Sequence, residues 1–319
     1  MDKALLNLPL TESPFFDELI EEVALDLETK ELAKQFAKDG YVVFDPQIDL
    51  NLIDQARESL LPAFAAANTN RLQDAWQTND LVRQLAAAPR VLQVLKDLYG
   101  REPIPFQTLN FSTGSQQRTH SDSIHFNSVP ERFLAGVWIA LEDVDDTNGP
   151  LHYYPGSHKL PAYNLSTIGL KGSASSSMDD MLANYYSQYE TFIAELVTHQ
   201  KLIKKTLHIK KGQAMIWSAN LLHGGETIRT PGATRYTQVN HYFFADCAYY
   251  RPMLTDMVLE RVSVQKVINV ATGEPVESNY LGTPIKHVGY SYKLYLPGQL
   301  MRVVFPPSLR RWVKKLINR

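Results

Sequence analysis

Two histidines and one aspartate in this 319-residue chain have a spacing that could bind a divalent metal ion. His120 and Asp122 stand two residues apart, so both side chains point to the same face if the segment is extended. His223 follows an apolar run that starts at Trp217 and precedes a Gly-Gly turn, which places it at the mouth of a predicted strand. Two histidines and one carboxylate on one side of an ion form the facial triad of non-haem Fe(II) sites, which leaves positions open for a co-substrate and dioxygen.

An arginine further along the chain could supply the other end of such a site. Arg235 lies twelve residues after His223 and opens the last predicted strand. A planar guanidinium pairs a carboxylate through two hydrogen bonds, so Arg235 could hold the far carboxylate of a 2-oxo acid that chelates the ion. Arg229 is the rival for this role, but it lies in the turn-like stretch ETIRTPG. Together these residues predict a 2-oxoglutarate site.

The remaining histidines and the single cysteine are weaker candidates. His125 follows Asp122 by three residues and faces the opposite way in an extended segment, so we expect it to pack or to contact substrate. His241 could support the site from the last strand. Cys247 is predicted to be an inert buried thiol, and a single cysteine excludes an internal disulfide and a thiolate zinc cluster. Structural roles are expected for His152, His158 and His208.

Composition excludes several other classes of protein. A content of 44% hydrophobic and 21% charged residues is too apolar for a disordered chain. The formal charge of -2 argues against nucleic-acid binding by bulk electrostatics. No segment is apolar enough for a membrane span and the first residues lack the pattern of a signal peptide, so we expect a cytoplasmic location. The basic, amphipathic helix predicted over Ser308–Arg319 either docks on the domain or makes peripheral contact with an anionic membrane.

Periodicity predicts helices first and short strands later. The helical part comprises Phe15–Lys38 with Gly40 just past its end, Leu50–Leu61, and Asp80–Leu98 broken at Pro89; Tyr41–Phe44 is a predicted strand. The later strands are Phe133–Leu141, Leu151–Tyr154, Thr206–Ile209, Ala214–Trp217 and Tyr236–Phe244, a pattern that favours a sandwich or barrel. An insertion over Leu160–Gln200, with a helix over Met178–Val197, would form a lid or substrate wall.

The chain resembles the phytanoyl-CoA dioxygenase-like family of Fe(II)- and 2-oxoglutarate-dependent oxygenases over roughly residues 30–245. The most specific mark is the run DTNGPLHYYPGSHK over Asp146–Lys159. The H-x-D pair at His120 and Asp122, and His223-Gly224 followed by Arg235, carry the rest of the resemblance. The segment DGYVV after the first long helix also matches the family's usual opening.

This resemblance implies the fold, the cofactors and the site residues. The fold would be mainly β with helices (α+β): a double-stranded β-helix, or cupin-like jelly roll, with N-terminal helices packed outside. The sequence shows no internal repeat and no convincing linker, so we expect residues 1–319 to form one domain, with helical support over 1–103, the core with its insertion over 104–245 and an extension over 246–319. Iron would be bound by His120, Asp122 and His223, and 2-oxoglutarate by Arg235 with Trp138 beside it. Polar groups near the co-substrate or substrate would be Asn110 and Asn127.

The resemblance further implies a hydroxylase, because a carboxylate at Asp122 takes the place that a halide needs in halogenating relatives. The expected reaction uses dioxygen and 2-oxoglutarate, releases succinate and CO2, and hydroxylates a small or lipid-linked organic substrate. Two alternatives stay open. One is a cupin-like hydrolase or isomerase that uses Zn(II) or Mn(II), and the other is a non-catalytic jelly roll that binds a carbohydrate or a protein.

Overall fold

The computed structural model describes residues 7–164, 166–169, 178–255 and 262–285, with the side chains of 178–184 outside that description. All of the described residues belong to one compact unit. The predicted basic helix therefore lies outside the described residues, and the single-domain organisation of the whole chain stays a prediction. In the described part, no helix is both long and apolar enough to cross a membrane.

The unit contains six α-helices and fifteen strands among the described residues. The helices are α1 (Phe16–Glu22), α2 (Leu27–Asp39), α3 (Leu50–Ala67), α4 (Asp80–Ala86), α5 (Pro89–Tyr99) and α6 (Met178–His199). The first strands are β1 (Tyr41–Phe44), β2 (Arg71–Gln73), β3 (Pro103–Phe111), β4 (Asn127–Val129), β5 (Leu134–Ala140), β6 (Leu151–Tyr153), β7 (Lys205–Thr206) and β8 (Ala214–Ser218). The others are β9 (His223–Gly225), β10 (Thr237–Phe244), β11 (Ala248–Tyr250), β12 (Val267–Ile268), β13 (Pro275–Val276), β14 (Ser278–Tyr280) and β15 (Thr283–Ile285).

The N-terminal helical region differs from its prediction in one place. The helix predicted over Phe15–Lys38 is two helices, α1 and α2. Asp26 starts the second one, because its side chain accepts a hydrogen bond from the Thr29 amide at 2.7 Å. Gly40 ends α2 as predicted, with a left-handed φ of 81° that an L side chain rarely adopts.

Two prolines have different effects on the following helices. The predicted break at Pro89 is confirmed, since α5 begins at that residue. Pro62 instead lies inside α3, which continues to Ala67 rather than ending at Leu61. Leu60 and Phe64, on either side of Pro62, are both buried, so packing outweighs the lost backbone hydrogen bond.

The core is an antiparallel sandwich. Six strands form the large sheet in the order β1-β8-β5-β10-β3-β2, and three form the small sheet in the order β7-β6-β9. Side chains of the large sheet alternate between its faces: Val137 and Ile139 pack with the N-terminal helices, whereas Trp138 and Ala140 face the small sheet. Tyr153 of the small sheet joins the same apolar cluster as Trp138. This confirms the mainly β, α+β class with helices packed outside.

The longest strand, β3, was not predicted. It carries Pro103 and Pro105, and proline removes a backbone donor that strands normally need. Pro105 is tolerated because it lies at an irregularity in the β3–β10 register, opposite Tyr242. The predicted insertion helix is observed as α6, on the chain between β6 and β7.

Candidate active site

The three predicted metal ligands come from two backbone segments that pair with each other. His120 and His223 form an isolated antiparallel bridge, in which the amide of each donates to the carbonyl of the other at 2.9 Å. Asp122 follows an extended Ser121 and begins a single 3-10 turn, Asp122–Ile124. The pairing places the H-x-D segment directly beside the start of β9.

The three side chains form a compact, buried triangle. His120 Nε2 lies 3.7 Å and His223 Nε2 lies 3.8 Å from the same oxygen, Asp122 Oδ1. One ligand atom from each residue lies within 4.8 Å of the others. All three residues are 5–6% exposed, so few water molecules can compete for these atoms. The structure thus brings together the residues that the sequence predicted as metal ligands.

Backbone hydrogen bonds fix which imidazole nitrogen faces the centre. His120 Nδ1 lies 2.9 Å from the Arg118 carbonyl, and His223 Nδ1 lies 2.9 Å from the Leu221 carbonyl. A carbonyl oxygen can only accept a hydrogen bond, so Nδ1 carries the proton in both rings. The Nε2 lone pairs are therefore free to bind a metal and face Asp122. In metal-binding histidines, the hydrogen bond made by the other ring nitrogen fixes the tautomer and the ring orientation in this way.

The charges of the triangle match those of a metal-binding site. Burial lowers the pKa of His120 to about 4 and also lowers the pKa of His223, so both imidazoles are neutral at pH 7. Burial raises the pKa of the Asp122 carboxyl, but His223, His241 and His120 together bring it below its ordinary value. Two neutral nitrogens and one ionised carboxylate are the donor set expected for Fe(II).

Arg235 is a buried cation with few partners. It is 2% exposed, and its guanidinium donates one hydrogen bond, to the Gly149 carbonyl at 2.6 Å. Nε is buried without a hydrogen-bond partner. No ion pair to a described carboxylate is formed, and Glu142 only partly offsets the effect of burial on the guanidinium. Burial lowers the pKa of Arg235 to about 10, so it stays charged at pH 7. A buried unpaired cation of this kind is suited to bind a carboxylate ligand.

The other predicted co-substrate residues fall into two groups. Trp138 lies beside Arg235, with the guanidinium carbon 5.5 Å from its ring centroid. Asn110 lies on the face of β3 that turns toward the helices: its amide donates to Gln238 Oε1 at 3.0 Å, and Gln238 in turn donates to the Val82 carbonyl of α4. Strand alternation turns Asn110 toward the helices, away from the inner cluster that contains Leu109.

Asn127 and the alternative arginine have other surroundings. The Asn127 side chain accepts a hydrogen bond from the Ser128 amide at 2.8 Å. The structure places Asn127 in the β4–β11 pair, opposite Tyr250. Arg229 is exposed, in contrast to Arg235.

His125 lies closer to the triad than an extended segment allows. The 3-10 turn after Ser121 brings its ring centroid within 6.0 Å of the His120 ring. Its ring also lies 5.0 Å from that of Tyr186 in α6. Gln117 joins these groups, because its amide nitrogen donates to the Tyr186 hydroxyl at 3.1 Å and lies 3.3 Å from His120 Nε2. The insertion helix therefore packs against the rim of the site.

Two residues touch the far oxygen of the aspartate. Trp217 Nε1 donates to Asp122 Oδ2 at 2.8 Å, and His241 Nε2 lies 3.5 Å from that oxygen. The sequence marked His241 only as a possible support and gave Trp217 no role. The sequence offered one weak indication of their role, which is that both residues lie within predicted strands at positions that face inward.

Fold and site together define a jelly roll with a metal-binding centre, and comparison with known proteins identifies the family. The family model described as phytanoyl-CoA dioxygenase (PhyH) matches residues 36–236, and the chain belongs to this family. It is 24% identical over 186 residues to the peroxisomal phytanoyl-CoA dioxygenase of Rattus norvegicus, covering 56% of this chain and 50% of that protein. It is 30% identical over 123 residues to phytanoyl-CoA dioxygenase domain-containing protein 1 of Bos taurus, covering 39% and 38%. The chain thus matches half or less of the length of these relatives.

Solved structures confirm the predicted double-stranded β-helix. The non-haem α-ketoglutarate-dependent epimerase SnoN from nogalamycin biosynthesis aligns with a TM-score of 0.56 and 18% identity, over 81% of this chain and 95% of that one. The carbocyclase SnoK from the same biosynthesis aligns with a TM-score of 0.55 and 18% identity, over 82% and 96%. EctD from S. alaskensis, solved with 2-oxoglutarate and 5-hydroxyectoine, aligns with a TM-score of 0.52 and 19% identity, over 79% of this chain and 86% of that one. At these identities the likeness concerns the fold alone.

Proposed function

We propose that the protein is an Fe(II)- and 2-oxoglutarate-dependent dioxygenase that hydroxylates an aliphatic C–H bond of a small or lipid-linked organic substrate, with release of succinate and CO2. The observation that carries this proposal is the buried triangle of His120 Nε2, His223 Nε2 and Asp122 Oδ1. Neutral imidazoles and an ionised carboxylate fit Fe(II), and they need no rearrangement of protons near neutral pH.

Each residue has a definite task in this proposal. His120, Asp122 and His223 hold the iron, and Arg235 pairs with the distal carboxylate of 2-oxoglutarate while Trp138 lies beside the guanidinium. When bound, the iron and 2-oxoglutarate supply the activation of dioxygen. The surrounding protein contributes fixed ligand orientation and exclusion of water, because the triad and Arg235 are all at most 6% exposed.

Hydroxylation is the outcome that we favour among those open to this fold. The Asp122 carboxylate faces the two Nε2 atoms, in the place where a halogenating enzyme would need room for halide. SnoN is an epimerase and SnoK a carbocyclase, so product analysis must distinguish hydroxylation from these outcomes.

The substrate would enter on the side of the insertion helix. Tyr186, Gln117 and His125 form a wall of two rings and an amide beside His120, which suits a substrate with a polar group next to its reacting carbon. We also propose a cytoplasmic enzyme with peripheral membrane contact through Ser308–Arg319. If deletion of that segment leaves binding to anionic vesicles unchanged, the membrane contact is wrong.

Turnover under isotopically labelled dioxygen tests the reaction class. The protein is incubated with Fe(II), 2-oxoglutarate and a panel of aliphatic and acyl compounds, and both succinate and product mass are measured. Formation of succinate together with an organic product that carries one labelled oxygen atom supports hydroxylation. Succinate coupled to an isomerised or cyclised product without added oxygen overturns hydroxylation. Absence of both 2-oxoglutarate consumption and Fe(II) binding by folded protein overturns the whole proposal, and binding of Zn(II) or Mn(II) alone would favour a different metalloenzyme.

A further inference from the structure

The two oxygens of the Asp122 carboxylate have different partners. Oδ1 faces His120 Nε2 and His223 Nε2, at 3.7 and 3.8 Å. Oδ2 points the other way, accepts a hydrogen bond from Trp217 Nε1 at 2.8 Å and lies 3.5 Å from His241 Nε2. All of these side chains are buried.

A glycine between two strands makes this arrangement possible. Gly136 of β5 is opposite Trp217 of β8 on one side and opposite His241 of β10 on the other. Directly cross-strand residues share a face of the sheet, so the Trp217 and His241 side chains flank Gly136 on the inner face. A Cβ atom at Gly136 would lie 2.7 Å from Trp217 Nε1 and closer still to other atoms of the indole ring. The indole therefore lies over the glycine, and any side chain there would displace it from Asp122.

We infer that Trp217 and His241 are positioning residues that make Asp122 bind the metal through Oδ1 alone. Gly136 allows this because it leaves space for the Trp217 indole. This inference rests on the proposed function. A carboxylate with one oxygen held by protein donors contributes a single ligand atom, which leaves the remaining positions to the keto acid and dioxygen. A carboxylate released from these donors can chelate through both oxygens and take a position that 2-oxoglutarate needs.

Four variants test the inference. Trp217→Phe removes the indole N–H and keeps an aromatic ring, and Gly136→Ala displaces the indole without altering it. His241→Leu removes the second polar neighbour of Oδ2, whereas His241→Gln keeps an N–H. Trp76→Phe is the matched control, because the Trp76 indole also donates to an aspartate, Asp74, at 3.3 Å, in a different part of the chain.

Two measurements are made on anaerobic protein. Fe(II) binding is followed by calorimetry, and 2-oxoglutarate binding at saturating Fe(II) by the visible charge-transfer band of the chelated keto acid. We expect Trp217→Phe and Gly136→Ala to weaken 2-oxoglutarate binding by about 10- to 100-fold, the range for lost outer partners of metal ligands, because the released carboxylate takes the position that the keto acid needs. His241→Leu should behave likewise, with substantial recovery in His241→Gln, while Trp76→Phe changes neither constant.

A purely structural role predicts something else: lower melting temperatures, with both binding constants within about threefold of wild type in the folded fraction. That result for Trp217→Phe and His241→Leu overturns the inference. If the wild-type protein itself binds neither Fe(II) nor 2-oxoglutarate, the proposed function fails instead. The two failures are therefore distinguishable.

Discussion

Replacement of Arg235 by methionine separates co-substrate binding from metal binding. Methionine has a similar reach but no charge and no hydrogen-bond donor. Arg235 is buried, charged at neutral pH and without a carboxylate partner among the described residues, so its removal takes away the cation that the co-substrate would neutralise. The iron ligands are separate residues and should be unaffected.

The expected magnitude follows from one charge-assisted interaction. Hydrogen bonds to charged groups contribute about 1.5–3 kcal/mol, which corresponds to roughly a 10- to 150-fold weaker affinity for 2-oxoglutarate. Two effects on stability oppose each other, since the variant no longer buries an unpaired charge but leaves the Gly149 carbonyl without its donor. We therefore expect the free energy of unfolding without co-substrate to change by less than about 1 kcal/mol.

The assay is a titration of 2-oxoglutarate against anaerobic protein at saturating Fe(II), followed by thermal shift and by the visible band. Wild type should show a co-substrate-dependent rise in melting temperature, and Arg235→Met should lose most of it while the metal-dependent rise remains. Arg229→Met is the control, because Arg229 is exposed and was the alternative candidate. Unchanged affinity for 2-oxoglutarate in Arg235→Met, or a loss of affinity in Arg229→Met instead, would show that Arg235 does not hold the co-substrate.

Three further predictions concern stability. Tyr189→Phe removes the hydroxyl that accepts from the Ser121 amide at 3.2 Å, so it should cost about 1–3 kcal/mol in urea unfolding; no change would show that α6 is not held there. Arg132→Met leaves the buried Glu12 carboxylate without its ion-pair partner and should cost about 2 kcal/mol or more, whereas the exposed-pair variant Lys210→Met should cost less than about 1 kcal/mol. Burial lowers the pKa of three histidines to about 4 in the folded protein, whereas an unfolded histidine has a pKa of about 6.5. Between these pH values the unfolded chain therefore binds more protons than the folded chain does. The metal-free protein should therefore be less stable at pH 5 than at pH 7 in chemical denaturation, and equal stability would contradict this; the histidines are His120, His125 and His158.

The sequence was sufficient for the ligand triad and insufficient for its surroundings. His120, Asp122 and His223 could be grouped because their residue types and flanking turns indicate one kind of chemistry. The position of His125 could not be predicted, because the 3-10 turn at Asp122 depends on contacts from distant parts of the chain. One of these is the Ala219 carbonyl, which accepts a hydrogen bond from the Ser123 amide.

Strand register explains the other differences. Asn110 and Trp138 both lie on strands, but only alternation within the folded sheet decides that one faces α4 and the other faces Arg235. Trp217 and His241 reach Asp122 only because both are opposite Gly136, and cross-strand pairing of this kind is not visible in one sequence. Strand β3 was missed because of its prolines, and in the folded protein it is stabilised by pairing with β10 and β2.

The most direct test of the metal centre is the visible spectrum of anaerobic protein with Fe(II) and 2-oxoglutarate. We expect a weak metal-to-ligand charge-transfer band in the wild-type protein and no such band in folded His223→Ala. A folded wild-type protein without the band, or a band of equal strength in His223→Ala, would contradict the assignment of His120, Asp122 and His223 as the iron ligands.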